Sequence, residues 1–508
     1  MNTEKLGKGL VVLGVSGIIL SLLVDVFPGA KPGIQSVQIL GIEIAIIVIL
    51  TGIWTFLADN NEELKIRKRV AFLYEQALNL PILVWIMVGF LLSYLLFFVS
   101  PMFFNSIQRM QYFINYLPDK YPIGNDMIVM LDLARDWFFQ GQSPYSVQFY
   151  PPLTYIFYAP ALLISDYALL FRLFTFITLV SYFILTFFIP AKISADENKP
   201  LILLFFITGL ISYGFQFELE RGQYNVFTFL LCMLSIYIFH YHPKRRIVAY
   251  ILFSLSVQLK LYPAIFVVLL VDDWQNWKDN LRRFVYLGIV NFVLLFSMGY
   301  QIFIEFMTSV LHQISTPGWG WNGNHSIKAF VGNLAKDGFG LLSSNSLVFV
   351  NQNSEFIGNI LLLIVLASVL SGVLIHHLKK EKGIDGYLLF ICTIAALTIP
   401  ISNDYTLSIL AAPMAIFLCS LAENWNTRFR IVLILSVVIL TFAYSSMLIP
   451  FKYKPQFMSN SFPSLFVIMI LTTFLNFIRY FSGREFVNKN KPANPSDHGQ
   501  SVNLKPSD

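Results

Sequence analysis

An all-α polytopic membrane protein is predicted by three features of this 508-residue chain. Apolar runs of about 20 residues recur along its length, each long enough to cross roughly 30 Å of hydrocarbon as a helix. Charged residues make up 13% of the chain and hydrophobic ones 56%, against about 25% charged in soluble domains. Short basic clusters separate the runs, as expected of loops at one membrane face. The 49 Phe and 24 Tyr suit lipid-facing and interfacial surfaces.

The runs 8–27 and 38–58 come first. The first lacks a convincing small-residue cleavage site and reads as an anchor rather than a signal peptide. With the basic stretch Lys65, Arg67, Lys68 and Arg69 they form an N-terminal hairpin and cytoplasmic loop over 1–79. A membrane domain over 80–483 holds the runs 80–104, 153–165, 168–190, 201–217, 224–240, 247–260, 262–271, 284–306, 355–378, 386–400, 405–422, 430–450 and 461–480. Several are too short to cross alone, so the expectation is about 12–14 transmembrane or re-entrant helices. The tail, 484–508, is polar and reads as disordered. Cys232, Cys392 and Cys419 lie inside apolar runs and read as small core residues, without a disulfide framework or metal cluster. The net charge of +6 is scattered over loop ends and is not a nucleic-acid signal.

Basic loops orient the chain. Lys244, Arg245 and Arg246, then Lys278, Arg282 and Arg283, then Lys379, Lys380 and Lys382, then Arg428 and Arg430 belong on the cytoplasmic side. A single helix between the first two clusters would put them on opposite faces. Pro263 interrupts that segment, so 247–271 reads as a short hairpin with Lys260 at its outer tip. Four polar segments then share the outer face with Lys260: 105–152, Gly222-Gln-Tyr-Asn225, 307–353 and Ser402-Asn-Asp-Tyr405. Three apolar runs between 152 and 222 conflict with an even number of crossings, so one of them, with 153–165 as the candidate, must be re-entrant or interfacial.

The outer segments carry the residues that could do chemistry. Asp126 opens a stretch of helical apolar spacing that reads as an amphipathic helix on the membrane surface. At the N-cap position it could simply cap that helix; beside an apolar surface it could also serve as a general base. Asp119 is the rival base. Asp132, Arg135 and Asp136 read as a solvated, locally paired face. Glu218, Glu220 and Arg221 stand at a helix end, where charges near a span are interfacial or functional. Lys260, alone in an apolar stretch, either snorkels or meets a phosphate. His325, in Asn322-Gly-Asn-His-Ser326 after Trp319 and Trp321, reads as a loop histidine, an acid, a base or a phosphate donor. Asp404-Tyr405 caps a helix or binds hydroxyls. No Walker loop, Asp-x-Asp, His-Glu-x-x-His or Gly-x-Ser-x-Gly occurs, which argues against nucleotide hydrolysis.

Asp126, Gly141-Gln-Ser-Pro-Tyr145 and Tyr150-Pro-Pro-Leu153 resemble the first outer loop of glycosyltransferase family 87, a family of the GT-C superfamily. Gly222-Gln-Tyr-Asn225 is similar to its Gly-Gln-x-Asn helix start, Lys260-Leu-Tyr-Pro263 to its Lys-x-x-Pro element, and Asn324-His-Ser326 to its Asn-x-Ser motif; Asp404-Tyr405 also fits. The resemblance covers roughly 80–450, and the first two helices look like an addition to the family's pattern. It implies a GT-C-like bundle moving a sugar, mannose in the mannose-using members, from a polyprenyl-phosphate carrier to a lipid or glycan hydroxyl with inversion. Asp126 would deprotonate the acceptor. Lys260, with Arg221 or His325, would meet the donor phosphate. Tyr145, Tyr150, Gln223, Asn225, Tyr262, Asn324, Asp404 and Tyr405 would contact substrates. No metal or cofactor is required, because a lysine can balance a phosphate monoester. The setting implied is a bacterial cytoplasmic membrane with the site on its non-cytoplasmic face.

Two other readings compete. A polymerase or ligase using undecaprenyl-diphosphate glycans would want several outer-loop arginines, and Arg109 and Arg135 are a thin supply. A transporter would want polar groups near the bilayer midplane and an internal repeat.

Overall fold

The computed structural model describes residues 8–17, 124–146, 150–195, 198–210, 212–315, 323–337, 342–379, 383–399, 402–421 and 460–489, and the single positions 45, 48 and 49. Most of 1–123, with Arg109 and Asp119 and the runs 38–58 and 80–104, lies outside them. So do Trp319, Trp321, Asn322, the run 430–450 and most of the tail. The described residues are all-helical, with no strand among them.

The helices that position the site are α1 (Asn125–Gln140), α2 (Pro152–Tyr158), α3 (Tyr167–Phe183), α4 (Lys199–Leu210), α5 (Tyr213–Arg221), α6 (Asn225–Tyr241) and α7 (Arg246–Leu259). They are followed by α8 (Trp277–Leu294), α9 (Tyr300–Ser315), α10 (Ile327–Asp337), α11 (Ser344–Gln352), α12 (Ser354–Lys379), α13 (Gly386–Thr398), α14 (Ala411–Cys419) and α15 (Phe462–Lys489). Helix α3 runs on through a π turn, Ile184–Phe188, into a last α turn, Ile189–Ile193. Among the described residues three helices, Tyr167–Ile193, Ser354–Lys379 and Phe462–Phe481, are long and apolar enough to cross a membrane. A fourth span exists if α5 and α6, bent by 114° at their junction, are taken as one. Pro152–Leu163 is apolar but short; its rise is about 18 Å as an ideal helix, less than the hydrocarbon thickness.

Two of the expected runs are not single helices. The run 201–217 is divided between α4 and α5, because the Ser212 side chain caps the second helix by accepting from the Phe215 N–H. The run 284–306 is divided between α8 and α9. At their junction the amides of Leu295, Phe296 and Ser297 bond three residues back, to Phe292, Val293 and Leu294, a tightening that ends the α-helix.

Every residue of α13 is buried, as are Ala411 to Leu418 of α14. A helix apolar on all sides belongs in an interior, and these two lie at the centre of the large core with α3, α4, α6, α7, α12 and α15. A smaller core joins Met127, Met130, Leu131 and Ala134 of α1 to Tyr155 and Tyr158 of α2, with Leu170, Tyr224, Leu259, Met298 and Ile302. That stripe on α1 is the apolar face its spacing predicts.

The hairpin around Lys260 is present. Helix α7 ends at Leu259, Lys260 is extended, and a 3-10 helix, Tyr262–Leu269, returns. Contacts at the far end bring the two basic loops together. His240 on α6 bonds the Leu269 carbonyl at 2.7 Å, Arg246 pairs with Asp272, and Arg283 donates to the Leu270 carbonyl at 2.7 Å. Its guanidinium also lies 4.7 Å from the Phe239 ring centre.

Candidate active site

The site is built where α1 meets the α5–α6 corner and the break after α7. Gly124 and Gly222 hold left-handed backbone, with φ of 78° and 65°, a region other L-residues enter at a cost. Gly124 precedes α1 and its amide donates to the Glu220 carbonyl at 2.7 Å. Gly222 ends α5 and lets the chain turn into α6. The carboxylate of Glu218 reaches across the corner to accept from the Val226 amide at 2.7 Å and from the Ser408 hydroxyl, so α6 starts on a side chain borrowed from α5.

Asp126 is the second residue of α1, not its N-cap; Gly124 holds that place and makes no side-chain cap. The carboxylate is therefore turned away from its own helix. Its Oδ2 accepts from Gln223 Nε2 at 2.7 Å and its Oδ1 lies 3.4 Å from the Arg221 guanidinium. Arg221 also faces Glu220 at 3.6 Å and stacks over Phe217.

Lys260 does not snorkel: it is 6% exposed. Its ammonium donates to Gln223 Oε1 at 2.8 Å. Three rings surround it, with centroids at 5.0 Å for Tyr150, 4.7 Å for Tyr224 and 5.5 Å for Tyr405. Desolvated cation–π contacts of this kind are each worth about 1–2 kcal/mol. Thr154 donates to the Leu259 carbonyl at 2.9 Å and Tyr224 to the same oxygen at 3.4 Å, which fixes the residue preceding Lys260. Tyr224 is a site residue missed at the sequence level, although it stands between Gln223 and Asn225 in the polar turn.

Tyr150 is tied down by Tyr145, whose hydroxyl donates to the Tyr150 carbonyl at 2.9 Å. Burial and the Asp126 charge push the Tyr150 phenol up to about 12; burial, with Glu305 second, raises that of Tyr145. Tyr262 donates to the Asn225 carbonyl at 3.1 Å, so it braces the start of α6.

Behind Tyr405 lies a second polar cluster. His325 is fully buried. Its Nδ1 accepts from the Ser461 amide at 3.0 Å, so the proton sits on Nε2, which donates to Asp404 Oδ1 at 2.9 Å. Both nitrogens face protein groups. Asn403, not Asp404, stands at the N-cap of the 3-10 helix Asp404–Leu410. Asn324 accepts from the amides of Ser326 and Ser402, each at 3.2 Å, and Asn460 donates to its carbonyl at 2.7 Å. Asn324 and Asn403 form an antiparallel bridge, and Asn403 donates to the Tyr405 hydroxyl at 2.6 Å. Asn324, His325 and Asp404 thus fasten three chain segments and set Tyr405 against Lys260. Asn460 and Ser461 were not anticipated, being ordinary loop residues by sequence, and Asn403 was singled out only as part of the polar segment Ser402–Tyr405. Asp132 and Arg135 pair at 3.0 Å, both more than half exposed, as their spacing predicts.

Carboxylate, amide and ammonium in one line suit proton abstraction on one side and anion stabilisation on the other. No curated protein and no solved structure matches the chain. The model of glycosyltransferase family 87 matches residues 149–400, which hold Tyr150, Arg221, Gln223, Lys260 and His325, and the chain belongs to that family as a membrane glycosyltransferase.

Proposed function

We propose that the chain transfers a sugar, mannose as first choice, from a polyprenyl-phosphate carrier to a hydroxyl of a glycolipid or glycan acceptor. The catalytic domain is 80–483 and the site opens on the non-cytoplasmic face of a bacterial cytoplasmic membrane. Asp126 takes the acceptor proton, the freed oxygen attacks the anomeric carbon, and the bond to the phosphate oxygen breaks with inversion. The leaving polyprenyl phosphate gains negative charge, which Lys260 stabilises with Arg221 nearby. His325 and Asp404 act from behind, by holding Tyr405.

The observation that carries this reading is the single amide, Gln223, that bridges Asp126 and Lys260 at 2.7 and 2.8 Å. It sets a base and a buried cation within reach of one small substrate centre. The parent activity is tested with protein in lipid, radiolabelled polyprenyl-phosphate mannose and a membrane-lipid extract as acceptor. Transfer by wild type and none by folded Asp126→Asn is expected. Transfer surviving in that variant moves the base to Asp119 or Asp404. Failure of wild type with mannosyl, glucosyl and arabinosyl carriers alike would sink the donor class.

A further inference from the structure

The orientation of the Gln223 amide is not ambiguous. A carboxylate only accepts and an ammonium only donates, so Nε2 must face Asp126 and Oε1 must face Lys260, as the 2.7 and 2.8 Å contacts show. The side chain is buried, and its backbone amide is held by the Glu218 carbonyl at 3.0 Å. One oxygen of Asp126, Oδ2, is thereby committed. The other, Oδ1, has only the longer 3.4 Å contact to Arg221, on a side chain a quarter exposed. Asp126 faces the open side of this line and Lys260 the buried side.

We propose that Gln223 is a positioning residue for sugar transfer: gripped by Lys260, its amide holds Oδ2 of Asp126 and turns Oδ1 toward the acceptor hydroxyl as the proton-accepting atom. Gln223 then touches neither sugar nor phosphate. It makes the geometry of the base depend on the cation at the donor phosphate, which lies 37 residues beyond Gln223 in sequence. In the transfer step the hydroxyl proton passes to Oδ1, the oxygen–carbon bond forms, and the carbon–phosphate-oxygen bond breaks with its electron pair going to the phosphate. This rests on Asp126 as base and Lys260 as phosphate cation.

The charged and titratable groups that face Asp126 are Arg221 and Glu220 from α5, Lys260 after α7, Tyr150 ahead of α2, Tyr158 on α2 and Tyr405. A carboxylate introduced at position 223 keeps the bond from Lys260 but sets a second negative charge against Asp126. The test is the pH–rate profile of transfer by Gln223→Glu beside wild type and Asp126→Asn. The expected result is an acid limb moved up by at least one pH unit in Q223E, with no transfer by D126N. An unmoved limb with D126N dead overturns this proposal alone; full transfer by D126N overturns it together with the reading it rests on. Should Q223E not fold, Gln223→Met carries the test. A tenfold or greater fall in kcat with the donor KM within threefold is expected. A kcat within threefold of wild type, or a loss confined to donor KM, overturns the proposal.

Discussion

Gly124 and Gly222 lie back to back at the junction of α1 with the α5–α6 corner. A Cβ on Gly222 would stand 3.4 Å from the Gly124 Cα and 2.9 Å from the Met127 Cβ. The close approach therefore depends on Gly222 having no side chain, while a Cβ on Gly124 would run instead into Tyr167 and Phe171.

Gly222→Ala is expected to cost about 1–3 kcal/mol of stability, from left-handed strain added to the Met127 contact. It should also lower transfer at least tenfold, because the corner that carries Gln223 must shift. Gly288→Ala on α8, where nothing lies within 4 Å of the added Cβ, is the control and should leave both unchanged or raise the melting temperature. Thermal melting in detergent and transfer rate measure the pair; equal behaviour of the two variants would count against the close approach.

Lys260→Met keeps length and loses charge. It should leave a folded protein with transfer reduced by about 10²–10³-fold, the range for losing one electrostatic contact to a transition state. Lys260→Arg should not restore it, since a planar guanidinium does not fit three rings placed around a compact ammonium. Steady-state rates decide; wild-type transfer by Lys260→Met would remove the cation from the mechanism.

The two groups that carry charge, Asp126 and Lys260, were legible because each interrupts an apolar pattern, and charge near a membrane interior demands a reason. The return of the chain at Pro263 was legible from the signs of two loops. What could not be read was pairing across distance. Gln223 lies 97 residues from Asp126 and 37 from Lys260, and nothing local marks an amide that will bridge them. An Asp at a helix start reads equally as a cap or as a base; the left-handed Gly124, which holds the cap position, is what separates the two. His325 drew attention as a histidine in a polar loop, but its surroundings are set by Ser461, 136 residues on.

His325→Leu leaves the Asp404 carboxylate buried without its imidazole partner, a loss of about 3–5 kcal/mol when one member of a buried pair is removed. His325→Leu with Asp404→Leu should recover part of it. If His325 works through Asp404 and Tyr405, stability and kcat fall while the donor KM stays within threefold; a donor KM raised tenfold would instead bring the imidazole to the phosphate. Chemical denaturation and donor titrations separate the two.

Tyr150→Phe preserves the ring beside Lys260. Since the phenol ionises only near 12, it is neutral throughout any usable assay, and its removal should leave the alkaline limb of transfer where it is. A limb that moved would show that the hydroxyl bears on the group titrating there, Tyr150 itself or the Lys260 ammonium over its ring.

Single cysteines at Arg245 and Asp273, both exposed, should react with a membrane-impermeant maleimide from the same side of a sealed vesicle, and a cysteine at Gln142 from the other. The native Cys232 and Cys392 are buried and should add little background. Labelling of 245 and 273 from opposite sides would contradict the return at Lys260.

The anchoring of Leu259 by Thr154 and Tyr224 gives α7 a rotational register. Each residue advances a helix by about 100°, and Lys260 follows the last turn directly. A single alanine inserted between Arg246 and Leu259 would swing the ammonium out of its tyrosine ring while altering no residue that touches it. Spacing in α7 is thus as much a part of the site as the side chains, and relatives that keep every polar residue yet differ by one position in that helix are expected to place their cation elsewhere.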